Sequence, residues 1–219
     1  MSPVLLFGIL PAANEKARDE IIAGLGKIAE YAKEHDPETT KHATHVSVDP
    51  SDPLTVVAIE EYTSQAVCDA HNAWPPVLEF LEAWKADPGR LSGPPKIWHS
   101  NHAVASFTRD ALVEAENPFV VLATLQYNSE EEMNDALSGW GPAVSATETS
   151  EQGTLSYAIG RDVEVQNRLT FVEVYEDKKY LEDVHMQSDI LKKQMEAEKQ
   201  RAPKMEIYML KKVAGYLRK

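Results

Sequence analysis

Apolar residues along the chain fall into two alternating patterns. Val4-Leu5-Leu6-Phe7-Gly8-Ile9-Leu10 is a short apolar run of strand length. Beyond it, Ile21, Ile22, Leu25, Ile28, Ala29 and Ala32 recur at three- and four-residue steps, the spacing of one helical face. Two extended segments follow, about 41–49 and 54–62, separated by the turn-rich Asp49-Pro50-Ser51-Asp52-Pro53. A second helix opens near Ser64 and is interrupted at Trp74-Pro75-Pro76, where proline removes a donor and crowds the preceding turn. Val77, Leu78, Leu81 and Trp84 resume its apolar stripe, and a final strand falls near 96–107.

The same order then repeats. Phe119-Val120-Val121-Leu122-Ala123-Thr124-Leu125 echoes the first run, and Leu169-Thr170-Phe171-Val172-Glu173-Val174-Tyr175 echoes Val56-Val57-Ala58-Ile59-Glu60-Glu61-Tyr62. A histidine follows each tyrosine at nearly equal distance, Tyr62 to His71 and Tyr175 to His185, and Pro95-Lys96-Ile97 returns as Pro203-Lys204-Met205. Three landmarks in register make an internal duplication the economical reading. In the second copy, Ser129-Glu130-Glu131-Glu132 reads as a capping box, and Trp140-Gly141-Pro142 is expected to break the helix it opens. Segment 152–162 supplies a strand, and Leu181, Val184, Leu191 and Met195 mark the second helix. The boundaries are therefore 1–107 for the first copy, 108–117 for a linker and 118–219 for the second copy. Each copy reads βαββαβ, which predicts an α+β architecture of two ferredoxin-like lobes with both helices on one face of each antiparallel sheet. The bare sheet faces need cover, so the expectation is that they pack face to face as an intramolecular pseudo-dimer.

Composition narrows the function. The 219 residues carry 35 acidic and 22 basic side chains, a net charge of -13. Such a surface repels phosphate backbones and anionic lipids, so neither nucleic acid nor membrane is an expected partner. The single cysteine, Cys68, excludes an intrachain disulfide and any multi-cysteine zinc site within one chain, and fits a reducing compartment. The expected location is the cytoplasm, with secretion lacking a typical signal peptide left open. No apolar run approaches the about 18 residues a membrane helix needs. Phosphate-binding glycine loops and a Gly-x-Ser-x-Gly elbow are missing. Two His-x-x-His pairs, His42/His45 and His99/His102, lie in predicted strands, where such spacing points the two rings to opposite faces; a metal site on either pair is not expected. His71 and His185 instead fall on the apolar faces of their helices, turned toward the sheet. Each reads either as a core histidine hydrogen-bonded to the neighbouring strand or a helix end, with Glu173 or Tyr175 as candidate partners, or as a general base in an apolar cavity.

Residues 152–191 carry a family resemblance. Gln152-Gly153-Thr154-Leu155-Ser156-Tyr157, then Phe171-Val172-Glu173-Val174-Tyr175, then Leu181-Glu182-Asp183-Val184-His185-Met186-Gln187-Ser188 resemble the antibiotic biosynthesis monooxygenase family, where a Phe-Val-Glu-x-aromatic strand precedes a helix with Leu-x-x-His-x-x-Ser. The first copy keeps Glu60, Tyr62 and His71 but has Lys41-His42-Ala43-Thr44-His45 at the glycine-threonine strand. The resemblance implies a dimeric α+β barrel fused in tandem, acting on a small apolar substrate, a polyketide phenol, anthrone or oxylipin-like acid, with molecular oxygen and no cofactor or metal. Together with the apolar face that carries His185, it makes His185 the expected base and Tyr157 and Arg161 the expected donors to the developing anion, with Trp140 as a cavity wall and Glu173, Tyr175, His71 and Trp74 as candidate substrate contacts; the second copy, which keeps the family pattern better, is the favoured active one. A non-catalytic binding or stress-response barrel and a haem-binding relative remain alternatives, and a homodimer of such pseudo-dimers stays open.

Overall fold

The first apolar run forms β1 (Val4–Pro11) and the periodic stretch forms α1 (Glu15–His35). Asn14 starts that helix by accepting a hydrogen bond from the Ala17 backbone N–H at 3.0 Å, which satisfies one orphan donor of the first turn. The hairpin β2 (Thr39–Ser47) and β3 (Thr55–Tyr62) follows, then α2 (Gln65–His71), α3 (Pro75–Ala86) and β4 (Lys96–His102). Pro75 and Pro76 sit in the first turn of α3, where no backbone donor is required, so they begin a new helix rather than kinking an old one.

The second copy opens after a two-residue strand, β5 (Phe107–Thr108), within the stretch read as the end of copy one and its linker. Then come β6 (Phe119–Gln126), α4 (Glu130–Ser150), β7 (Thr154–Asp162), β8 (Arg168–Tyr175), α5 (Lys178–Asp183), α6 (Asp189–Arg201) and β9 (Lys204–Tyr216). Two expectations need correction. The helix α4 runs unbroken through Pro142. Pro142 is exposed, so water can satisfy the carbonyl it leaves unpaired, while Trp140, Ala143, Val144 and Thr147 are held in the core. The second helix of this copy is not continuous: a 3-10 turn, His185–Gln187, separates α5 from α6 and leaves Val184 exposed rather than on the apolar face. The capping box is half formed: Ser129 accepts from the Glu132 N–H at 3.1 Å, but the Glu132 carboxylate reaches back to the Asn128 N–H.

This computed structural model describes residues 3–104 and 106–219. The protein is α+β and divides into two units, Met1–His99 with Lys211–Lys219, and Ser100–Leu210. In unit 1 the strand order is β4-β1-β3-β2, followed by the end of β9. In unit 2 it is the start of β9, then β6-β8-β7, with β5 and the end of β4 both on β7. Each inner order is that of a ferredoxin-like sheet, and the β1–β3, β2–β3, β6–β8 and β7–β8 ladders are antiparallel. One core of unit 1 lies between the sheet and its helices, with Leu10, Val56 and Ala58 against Ala17, Ile21, Leu25, Ile28 and Val77. The corresponding core of unit 2 sets Leu169 and Phe171 against Met133, Leu137, Trp140 and Val144. Among the described residues no helix is long and apolar enough to cross a membrane.

Candidate functional site

Register places the polar residues of the two units in matching positions. Glu60 on β3 lies opposite His42 on β2 and Leu6 on β1, and Glu173 on β8 lies opposite Tyr157 on β7 and Val121 on β6. Strand alternation puts Glu60 on the same face as Val56 and Ala58, which pack against α1. Tyr62 and Tyr175, two residues further along, each donate a hydrogen bond to that glutamate, at 2.5 Å for Tyr175 to Glu173. Each glutamate thus has a hydrogen-bond partner on its own strand.

The two histidines have different fates. In unit 2, His185 is buried and its Nδ1 lies 2.6 Å from the Glu151 carboxylate, which also accepts from Thr154 Oγ1 at 3.1 Å. Burial works to lower the His185 pKa, but the Glu151 hydrogen bond and the nearby Glu173 and Glu151 charges outweigh it, and the pKa is raised. Glu151 is lowered in return, its burial outweighed by the same histidine. In unit 1 the residue at the end of α1 is Asp36, which accepts from Thr39 Oγ1 at 2.8 Å much as Glu151 accepts from Thr154. Aspartate is one methylene shorter, and the His71 Nδ1 has no hydrogen-bond partner among the described residues. His71 Nε2 faces Glu60 at 3.9 Å, and its ring meets Trp74 edge-on at 4.6 Å. Burial lowers the His71 pKa despite Glu60, so the ring is neutral at pH 7. Burial also raises Glu60, against the pull of His71 and the Tyr62 hydrogen bond.

A cavity of about 410 Å³ lies in unit 1, within the range of small-molecule sites. Leu6, Gly8, Ala58, Leu25, Phe80 and Trp84 supply apolar lining, and Glu60, His71, Asn72 and His99 form its polar part. Its origin is visible in the repeat. Where unit 2 has Phe171 and Tyr157, unit 1 has Ala58 and His42, and where unit 2 has Trp140, the first helix of unit 1 has Leu25. In unit 2 the Trp140 and Phe171 rings pack edge-on at 4.8 Å and belong to the core.

The residues singled out in the second copy therefore sit as follows. Tyr157, Glu173, Tyr175 and His185 come together, with the Tyr157 and Tyr175 rings 5.8 and 5.2 Å from that of His185. Burial and the Glu173 charge push both tyrosine hydroxyls well above their ordinary pKa. Arg161 is not part of this group: four residues along β7, about 13 Å at ~3.3 Å per residue, it donates to Asn134 on α4. None of these residues lines the unit 1 cavity; His71 does, and Trp74 packs on His71. Two participants escaped the sequence reading. Glu151 carries no motif. His42, which strand spacing separates from His45 and marks as a surface or sheet-edge ring or a single pocket residue, is instead fully buried, and its place opposite Glu60 is readable because both lie nine positions from Ser51 at the centre of the hairpin.

No protein-family model matches the sequence, and no curated protein matches it. Solved structures do. A protein from Lactobacillus acidophilus, described as a "putative monooxygenase", superposes over 100% of both chains with a TM-score of 0.75 at 16% identity. One from Fusobacterium nucleatum, described in the same words, covers 100% of this chain and 97% of its own, with a TM-score of 0.78 at 15% identity. An anthrone oxidase-like protein covers 97% and 92%, with a TM-score of 0.69 at 13% identity. The chain has the fold of these monooxygenase-like proteins. Within that fold, the unit 1 cavity and the neutral histidine at its polar part are the features that bear on chemistry.

Proposed function

We propose that this protein is a monooxygenase that oxidises a small apolar compound, an anthrone- or phenol-like metabolite, with molecular oxygen in the unit 1 cavity. The observation that carries the reading is His71: a neutral imidazole with a free ring nitrogen, beside Glu60, at the polar part of a cavity otherwise lined by aliphatic and aromatic side chains. Triplet oxygen reacts sluggishly with closed-shell molecules, but a stabilised carbanion can pass it one electron directly. His71 takes the proton that forms this carbanion, and Asn72 and His99 donate to its oxygen. The apolar walls keep water from the radical pair until it combines to a peroxide, which collapses with loss of water. Overall, a methylene group and one molecule of oxygen become a carbonyl group and one molecule of water, which balances with no external reductant. The activity placed by resemblance on His185 moves to His71 in this reading, because His185 is tied to Glu151.

Oxygen uptake measured with a panel of anthrones and phenols tests the proposal. The wild-type protein should consume oxygen with at least one of them, and His71→Ala should lower the rate by about 10²–10⁴-fold. Uptake with none of them, or full turnover by His71→Ala, would overturn it.

A further inference from the structure

His42, Glu60 and His71 are all buried, and one ligand atom from each lies within 4.8 Å of the others. His42 Nε2 is 3.4 Å from Glu60 Oε1, and His71 Nε2 is 3.9 Å from Glu60 Oε2. Ligands held about 2.1 Å from a tetrahedral ion stand roughly 3.4 Å apart, so small side-chain rotations would bring these atoms into a coordination shell. His42 supplies an independent sign. Its ring is fully buried, and neither nitrogen has a hydrogen-bond partner among the described residues. Buried polar atoms are nearly always satisfied, and an orphaned imidazole aimed at a carboxylate is an arrangement that an ion would satisfy. Glu60 and His71 also line the cavity, which leaves room for coordination positions not taken by protein.

We infer that His42, Glu60 and His71 form a site for one divalent first-row transition ion, a two-imidazole, one-carboxylate set open toward the cavity. This donor set suits iron(II), cobalt(II) and zinc(II) better than calcium or magnesium, which prefer all-oxygen shells. The inference rests on the same cavity as the proposed function, but it does not rest on the reaction. Unit 2 contains the natural counter-example: Tyr157 stands where His42 does, and His185 is already engaged by Glu151. The neighbouring histidine is not a competitor, because His45 Nδ1 is turned to the Val57 carbonyl at 3.2 Å.

Cobalt(II) added to the metal-stripped full-length protein, without substrate, is the test. Calorimetry should give one ion per chain, accompanied by the visible absorption of low-symmetry cobalt. His42→Tyr, the residue that unit 2 accommodates at this position, should bind at least about 100-fold more weakly, given that loss of even an outer-shell partner costs 10–100-fold. Glu60→Gln, nearly identical in shape, should show the same loss if the tyrosine variant does not fold, and His35→Ala, at an exposed histidine of the same unit, should bind like wild type. Absence of a one-to-one complex, or unchanged affinity in Glu60→Gln, would overturn the site. Because no substrate is present, failure of the oxygenation reading leaves this result standing, and the reverse holds too.

Discussion

Replacing His185 with alanine decides between the two readings of that residue. The side chains of His185 and Glu151 are 3% and 4% exposed, and their contact is 2.6 Å. Removing one partner of a buried pair strands the other, at a cost of about 3–5 kcal/mol. In this variant Glu151 keeps its 3.1 Å bond from Thr154 but loses its charged partner. For a chain of this size each kcal/mol shifts Tm by roughly 2–4 °C, so unit 2 should melt about 10 °C lower. The pH dependence has a defined sign. His185 is raised, so its contribution is complete below its unfolded value of 6.5 and fades as pH rises through the folded value. Glu151 is lowered, so its contribution is present above 4.5 and fades as pH falls through its folded value. The pair therefore stabilises most between those limits. Urea unfolding followed by circular dichroism from pH 4 to 8 would measure this, with Glu151→Gln and the double variant completing a cycle. A His185→Ala protein within about 1 kcal/mol of wild type near pH 6 would refute the structural role. So would a variant that stays stable but loses oxygen turnover, which would return the base to unit 2.

Three further outcomes follow from the geometry. Burial lowers the His45 pKa to about 3, so the unfolded chain gains a proton there below pH 6.5 that the folded one refuses; this costs unit 1 roughly 1.4 kcal/mol per pH unit on acidification, and His45→Gln should flatten the acid limb of a urea-stability profile. Gly215 has φ of 74°, and a Cβ there would lie 2.0 Å from the His42 carbonyl oxygen; Gly215→Ala should destabilise unit 1 by at least about 2 kcal/mol in thermal melts, and a neutral result would contradict the backbone placement. Ala58→Leu projects into the cavity and should weaken binding of an apolar fluorescent probe at least about tenfold while costing about 1–3 kcal/mol of stability; unchanged probe binding would mean that the cavity is not the site.

Much of this molecule was legible in its sequence because strands and amphipathic helices announce themselves through periodicity. The His-x-x-His argument correctly separated the rings of His42 and His45, since only His42 stands on the face of Glu60 while His45 turns to the Val57 carbonyl. The repeat also held an unread signal: aligning Ala58 with Phe171 points to the copy with empty space, since a methyl group replaces a ring. Pro142 misled because a helix tolerates proline where the freed carbonyl faces water and the next turn is anchored in a core. The Glu151–His185 contact could not be read, because it depends on one methylene and on how a helix ends, and neither leaves a periodic trace. Whether His71 is free or tied rests on that same small difference between Asp36 and Glu151.

Unit 1 is completed by Lys211–Lys219, whose Tyr216 hydroxyl donates to the Thr39 carbonyl at 3.1 Å and whose Lys219 ammonium reaches the Ala32 carbonyl at 2.6 Å. On the ribosome, the half that starts first thus finishes last: its edge stays open, with the carbonyls of α1 and β2 waiting, while all of unit 2 is translated. The usual N-to-C order of domain maturation is thereby turned around.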